Sequence, residues 1–181
     1  MTCCAPTTPA EHSNGDCPSC NAKGSPVEPL TVKALLNVRG LYKGPVGDPR
    51  FCATAACPVV YFENAGHLTF TEDDLTVRVH AKHPAEGDVP VCYCFNVTAS
   101  AIQHEIKLTG TTEAGELITR QVRAGRCACE VKNPRGVCCL GDVLRVEQAL
   151  TSPGHGTASE ERVGGVVARE EGNGPQENPA G

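Results

Sequence analysis

The chain contains no tryptophan and a single methionine, and its seven Phe and Tyr residues all fall between Tyr42 and Phe95. Large apolar side chains dominate core energetics, so their scarcity argues against one extensive apolar core. No stretch approaches the roughly 18 apolar residues of a membrane-spanning helix, and no membrane insertion is expected. The first residues, MTCCAPTTPAEHSNGD, lack both a basic segment and an apolar segment, so no secretory signal is read there and a cytoplasmic location is expected. Basic runs are also missing. With a formal net charge of -5, the chain is a poor candidate for nucleic-acid binding, which needs clustered Lys and Arg. No Ser/His/Asp set, phosphate-cradling glycine loop or paired acid/base carboxylates emerges, and an enzymatic role is not expected.

What the chain has instead is cysteine, twelve in 181 residues. Thiols at this density are usually disulfides or metal ligands. A cytoplasmic chain keeps its thiols reduced, so metal ligation is the leading reading, and metal would supply the stability that a thin core cannot. The length suits one compact domain or two small ones.

Four segments are expected. Residues 1–16 read as a flexible arm carrying Cys3 and Cys4, residues 17–90 as a β module and residues 91–150 as a helical module. The last segment, 151–181, holds five Glu against two Arg, seven Gly and no aromatic residue, and reads as a disordered acidic tail. The expected class is therefore α+β: a small zinc-ribbon-like β module followed by a helix–turn–helix module. Strands are predicted at LTVKALL (30–36), CPVVYF (57–62) and LTVRV (75–79), and HPAEGDVP (83–90) reads as a linker. Thr98 or Ser100 is predicted to cap a helix carrying Ile102 and Ile106 and ending at Gly110. A second helix carries Leu117, Ile118 and Val122 and stops at Gly125; a third carries Val143, Leu144, Val146 and Leu150.

Cys17-Pro-Ser-Cys20 and Cys52-(x)4-Cys57 are two short-spaced pairs on separate loops. Such pairs suit a closed tetrahedral S4 site of the kind zinc prefers for structure. His12 or His67 could replace one thiolate, but each reads as a surface residue. Glu72, Asp73 and Asp74 read as a helix-start charge run on a solvated face, and His80 and His83 as exposed residues flanking the linker.

The second constellation joins Cys92-Tyr-Cys94 to CACEVKNPRGVCC (127–139). The four cysteines of that stretch admit two disulfides, a zinc site or part of an iron–sulfur cluster. Asn133-Pro134-Arg135-Gly136 suits a type I turn that folds the loop so that its ends converge. In a [2Fe–2S] cluster each iron takes two thiolates, and a CxC pair could serve one iron while the loop serves the other. A second Cys4 zinc site from the same residues is not separated from this by spacing alone.

VCYCFNVTASAIQHEI followed by AGRCACEVKNPRGVCCLGDV resembles the helix–turn–helix iron–sulfur domain of bacterioferritin-associated ferredoxins. It is more similar to the N-terminal domain of CopZ-type copper chaperones, with CYCF, CxCE, NPxG and CCLG elements. CPSC and FCATAACPVVYF resemble that family's zinc module, and the likeness runs from about Cys17 to about Leu150. The resemblance implies one structural zinc on Cys17, Cys20, Cys52 and Cys57. It also implies one [2Fe–2S] cluster on Cys92, Cys94, Cys129 and Cys139, with Cys127 and Cys138 as alternates. The implied role is copper or other soft-metal handling with a protein partner; a ferredoxin-like electron carrier or redox sensor is the alternative. One departure stands out: no MxCxxC copper loop is present, since the only Met is Met1. A transient Cu(I) would then rest on Cys3 and Cys4, on spare thiols in 127–139, or on a partner.

Overall fold

The computed structural model describes residues 15–64 and 68–152. Cys3, Cys4, His12, His67 and nearly all of the acidic tail lie outside the described residues. The chain is α+β, with the strands gathered in the first half and the longer helices in the second.

Four short antiparallel strands form the first sheet in the order β1-β2-β3-β4: Ser25–Pro26, Pro49–Phe51, Val59–Glu63 and Thr69–Thr71. Strand β3 is its centre. Val59 to Phe62 are all buried, because one face packs on the α1 side of the sheet and the other on the cysteine knuckles. Phe51 and Tyr61 meet edge to face at 6.0 Å. The predicted strand at 57–62 and the strands flanking Cys52 and Cys57 are thus present.

LTVKALL is not a strand. It forms helix α1, Pro29–Leu35, and the short helix α2, Val38–Leu41, follows. Proline stands in the first turn of α1, where no N–H is needed, and Thr31, Val32 and Leu35 are buried with helical spacing. Nor is LTVRV a strand: Leu75 makes one isolated bridge to Leu36, and the chain then runs irregularly to a 3₁₀ turn at His80–Lys82. The β-branched composition of both segments favours strands only where a pleated neighbour exists.

The Glu72–Asp74 run forms a 3₁₀ turn in which Asp73 is exposed, but Asp74 does not lie on a solvated face. The Asp74 side chain is fully buried and receives the Lys43 ammonium at 2.6 Å and the Thr71 N–H at 2.8 Å, with Arg39 at 3.5 Å. His80 and His83 are likewise half-buried rather than exposed. His83 Nε2 meets Glu72 Oε2 at 2.5 Å, and the His80 N–H donates to the Tyr93 hydroxyl at 2.8 Å. Residues 83–90 pack onto the helical half: Val89 is buried, and the Ser100 N–H donates to the Gly87 carbonyl.

A hairpin of β5, Pro90–Cys92, and β6, Val97–Thr98, opens the second half. Helix α3, Ala99–Thr109, is capped by the Thr98 hydroxyl and ends at Gly110, whose φ of 80° is left-handed, as the sequence predicts. Helix α4, Ala114–Arg123, follows, then the single turn α5, Cys129–Lys132, and helix α6, Leu140–Thr151. Gly115 inside α4 has a packing reason. A Cβ there would stand 2.7 Å from Leu144 and Glu147 of α6, and the Gly115 N–H donates to Glu147 at 2.6 Å. Ile102, Ile118 and Val143 are the centre of this second core.

Candidate metal centres

Two knuckles build the first centre. At Cys17–Cys20, the Asn21 N–H returns to the Cys17 carbonyl and the Cys17 N–H donates to Ala22, while Asn21 takes a left-handed φ of 57°. At Cys52–Cys57 the β2–β3 hairpin turns; the Cys52 N–H donates to Val60 and the Cys57 N–H to Thr54. The four Sγ atoms lie within 4.8 Å of one another, with Cys17–Cys57 at 3.8 Å and Cys20–Cys52 at 3.6 Å. A tetrahedral ion with bonds of ~2.3 Å to sulfur places its ligands ~3.8 Å apart, so the cage fits zinc. Three of the thiols are buried and Phe62 walls the site. Four thiols close the cage and leave no open ligand position, the arrangement zinc takes in structural sites.

The two thiols of the first knuckle differ in their electrostatics. Burial pushes the Cys17 thiol up to about 12 despite the Ser19 and Cys20 N–H groups beside it. At Cys20 burial also raises the pKa, but the Ala22 N–H, the Thr54 hydroxyl and the neighbouring thiols outweigh it and hold the group near 6. The buried Lys82 ammonium donates to the Thr54 carbonyl at 2.8 Å, placing a cation beside the second knuckle. Four thiolates around a divalent ion carry net negative charge, which this cation offsets. Nothing in the spacing of the sequence signals Lys82, 25 positions beyond Cys57.

The second centre is assembled from three pieces of chain. Cys92 ends β5 and is fully buried, and Cys94 lies in the β5–β6 turn, which Asn96 closes with a φ of 53°. Cys129 opens α5 and Cys139 is the N-cap residue of α6; both are buried. Cys94 Sγ lies 3.6 Å from Cys129 Sγ, and Cys92 and Cys139 are buried together in the second core. The Cys94–Cys129 contact joins the turn to the loop. Cys127 is half-buried, and its Sγ lies within 4.8 Å of those of Cys94 and Cys129; Cys138 is exposed.

The NPRG turn forms as the sequence predicts. The Gly136 N–H donates to the Asn133 carbonyl at 2.7 Å, and Gly136 has a φ of 68°. Asn133 braces the loop further, donating to the Val137 carbonyl and accepting the Arg135 N–H. The β module grips the same loop from outside: the Thr31 hydroxyl donates to the Glu130 carbonyl at 2.6 Å, and the Tyr61 hydroxyl to the Pro134 carbonyl at 2.7 Å. The Ala128 N–H donates to Cys94 Sγ at 3.3 Å. Hydrogen bonding with Cys139 holds Cys92 down near 6, whereas burial and the neighbouring Cys94 push Cys129 up to about 12. Donation from a loop N–H to a cysteine sulfur is expected from the sequence, whereas the Thr31 and Tyr61 hydroxyls come from distant positions that cysteine spacing does not signal.

Residues 14–76 match the family model of the CopZ-type zinc binding domain. The Archaeoglobus fulgidus protein described as copper chaperone CopZ is 37% identical over 124 residues, covering 68% of this chain and 57% of that protein. The solved N-terminal domain of Archaeoglobus fulgidus CopZ superposes with a TM-score of 0.58 at 36% identity, covering 72% of this chain and 96% of that domain. The chain belongs to the CopZ N-terminal domain family. It spans little more than half the length of the full-length CopZ relative it matches. The residues matching the zinc binding domain include Cys17, Cys20, Cys52 and Cys57, the same four whose Sγ atoms converge. Among the described residues no helix is long and apolar enough to cross a membrane.

Proposed function

We propose that this chain is the zinc- and [2Fe–2S]-bearing part of a metallochaperone that handles copper or a related soft ion together with a protein partner. The zinc would sit on Cys17, Cys20, Cys52 and Cys57 and hold the β module closed. The cluster would sit on Cys92, Cys94, Cys129 and Cys139. The observation that carries this reading is the 3.6 Å contact of Cys94 with Cys129, with Cys92 and Cys139 buried beside it in one cluster. Four such thiols suit a cluster in which each iron takes two thiolates. In this arrangement each iron draws one ligand from the β5–β6 turn and one from the loop.

The loop geometry favours Cys129 over Cys127, because Cys129 is the more buried and makes the 3.6 Å contact. When bound, the cluster supplies one-electron chemistry. The chain's own residues hold it: the Ala128 N–H would donate to the Cys94 sulfur, and Tyr61 and Thr31 would fix the loop.

The test is metal content with visible and electron paramagnetic resonance spectra of protein purified without oxygen. About one zinc and two iron per chain, with cluster absorption, is the expected result. About two zinc and no iron would overturn the cluster. An electron-transfer role separates from ion handling by Cu(I) titration against a chelator, since a pure electron carrier binds none tightly.

A further inference from the structure

The loop 127–139 carries more thiols than the proposed cluster needs, and one surplus thiol is not peripheral. The sulfur atoms of Cys94, Cys127 and Cys129 all lie within 4.8 Å of one another. No fourth thiol, imidazole or carboxylate joins that set among the described residues. The convergence has a backbone cause. Cys127 and Cys129 stand two apart, a spacing that puts both side chains on one face of an extended chain. Ala128 between them adopts φ -137° and ψ 49°, and the two thiols stay on one side within 4.8 Å of each other. The Ala128 N–H is aimed at Cys94 Sγ at 3.3 Å and draws the third sulfur in. Cys127 and Cys94 are half-buried, leaving solvent access to a set whose deepest member is Cys129.

We propose that Cys94, Cys127 and Cys129 form a three-coordinate thiolate site for a soft monovalent ion, and that this ion and the cluster exclude each other. Three thiolates without a fourth donor suit a soft, low-coordinate ion, whereas zinc takes four ligands. A trigonal ion with bonds of ~2.3 Å to sulfur sets its ligands ~4 Å apart, inside the spacing observed. In the iron-free protein the step is ligand exchange: the ion's bonds to its chelator or solvent donors break, three S–H groups release their protons to solvent, three metal–sulfur bonds form, and no electron moves. The site itself stands without the cluster; the exclusion rests on the cluster reading, because Cys94 and Cys129 cannot serve both.

The test uses the full chain with zinc bound and with Cys3 and Cys4 replaced by serine, so that those thiols cannot compete. Cu(I) is titrated without oxygen against a chelator, and X-ray absorption counts its sulfur neighbours. The expected result is one tightly held Cu(I) with three sulfur ligands. Cys127→Ser should weaken it at least about tenfold, as loss of metal-site groups does, while Cys138→Ser leaves it unchanged. Two sulfur neighbours, or equal affinity in Cys127→Ser, would overturn the site. In the iron-loaded chain, one equivalent of Cu(I) should bleach the cluster and release iron, and Cys127→Ser should resist. Tight Cu(I) binding with the cluster spectrum intact would overturn the exclusion. If the iron-loaded chain shows no cluster spectrum at all, the cluster reading fails while the iron-free titration still decides the site.

Discussion

The hydroxyl of Tyr61, at the centre of the first sheet, donates to the carbonyl of Pro134 at 2.7 Å, in the turn of the cysteine loop 73 residues later. Tyr61 is fully buried, and burial drives its phenol far above its ordinary pKa, so it serves as a permanent neutral donor. The zinc-type module is thereby tied to the loop that carries Cys129 and Cys139.

Tyr61→Phe removes that donor and leaves the Pro134 carbonyl without it in a buried place. The expected loss of stability is about 1–2 kcal/mol, the cost of one unsatisfied buried group. Thermal unfolding measures it. In iron-loaded protein the variant should also lose its visible absorption faster on exposure to air, with zinc content unchanged. Unchanged melting and unchanged bleaching would show that the tie does not hold the loop.

The first cage should control more than its own knuckles. Cys57→Ser removes a buried ligand from the set that also contains Cys17, Cys20 and Cys52. Small zinc modules draw their folding free energy from the metal, so this variant should lose zinc and much of its β-sheet signal in circular dichroism. Because Tyr61 and Thr31 brace the cysteine loop, iron retention should fall as well. Full sheet content and normal iron loading in a zinc-free variant would contradict this coupling.

Cysteine identity in 127–139 can be read one residue at a time. Cys129→Ser and Cys139→Ser should abolish the cluster spectrum, whereas Cys138→Ser should leave it intact, since Cys138 is exposed. Cys127→Ser should retain the cluster. Retention in Cys129→Ser with loss in Cys127→Ser would exchange the two roles.

These contrasts show which parts of the molecule are legible in its sequence. Cysteine spacing carries chemistry directly: Cys17–Cys20 and Cys52–Cys57 converge because short pairs can face one ion only from tight turns. Thr98, Gly110 and Gly125 mark helix ends through local backbone requirements, and Gly110 and Gly125 both take the left-handed φ expected of them. The misread segments are those whose structure depends on distant partners. Residues 30–36 have strand-like composition, but Pro29 starts a helix and Val32 and Leu36 pack into the sheet's core. Residues 75–79 have no neighbour strand beyond the Leu36 bridge. Acidic residues such as Asp74 read as solvated because their cations, Arg39 and Lys43, lie more than thirty positions away.

Asp74 makes the last prediction. Burial works to raise its pKa, but the Lys43 ammonium and the Thr71 N–H outweigh it and hold the carboxyl below its ordinary value of 3.8. A depressed folded-state pKa stabilises the fold above the unfolded value and loses that contribution as pH falls through the folded one. Asp74→Asn keeps the shape and removes the charge. It should cost about 1–3 kcal/mol at pH 7, the range for hydrogen bonds to a charged group. Chemical denaturation of both proteins from pH 7 down to pH 3 measures the gap. The difference should be constant above about pH 5 and narrow below about pH 4, as the native carboxylate takes up its proton. A gap that stays constant to pH 3, or widens, would show that the charge on Asp74 does not hold the Glu72–Asp74 turn against α2.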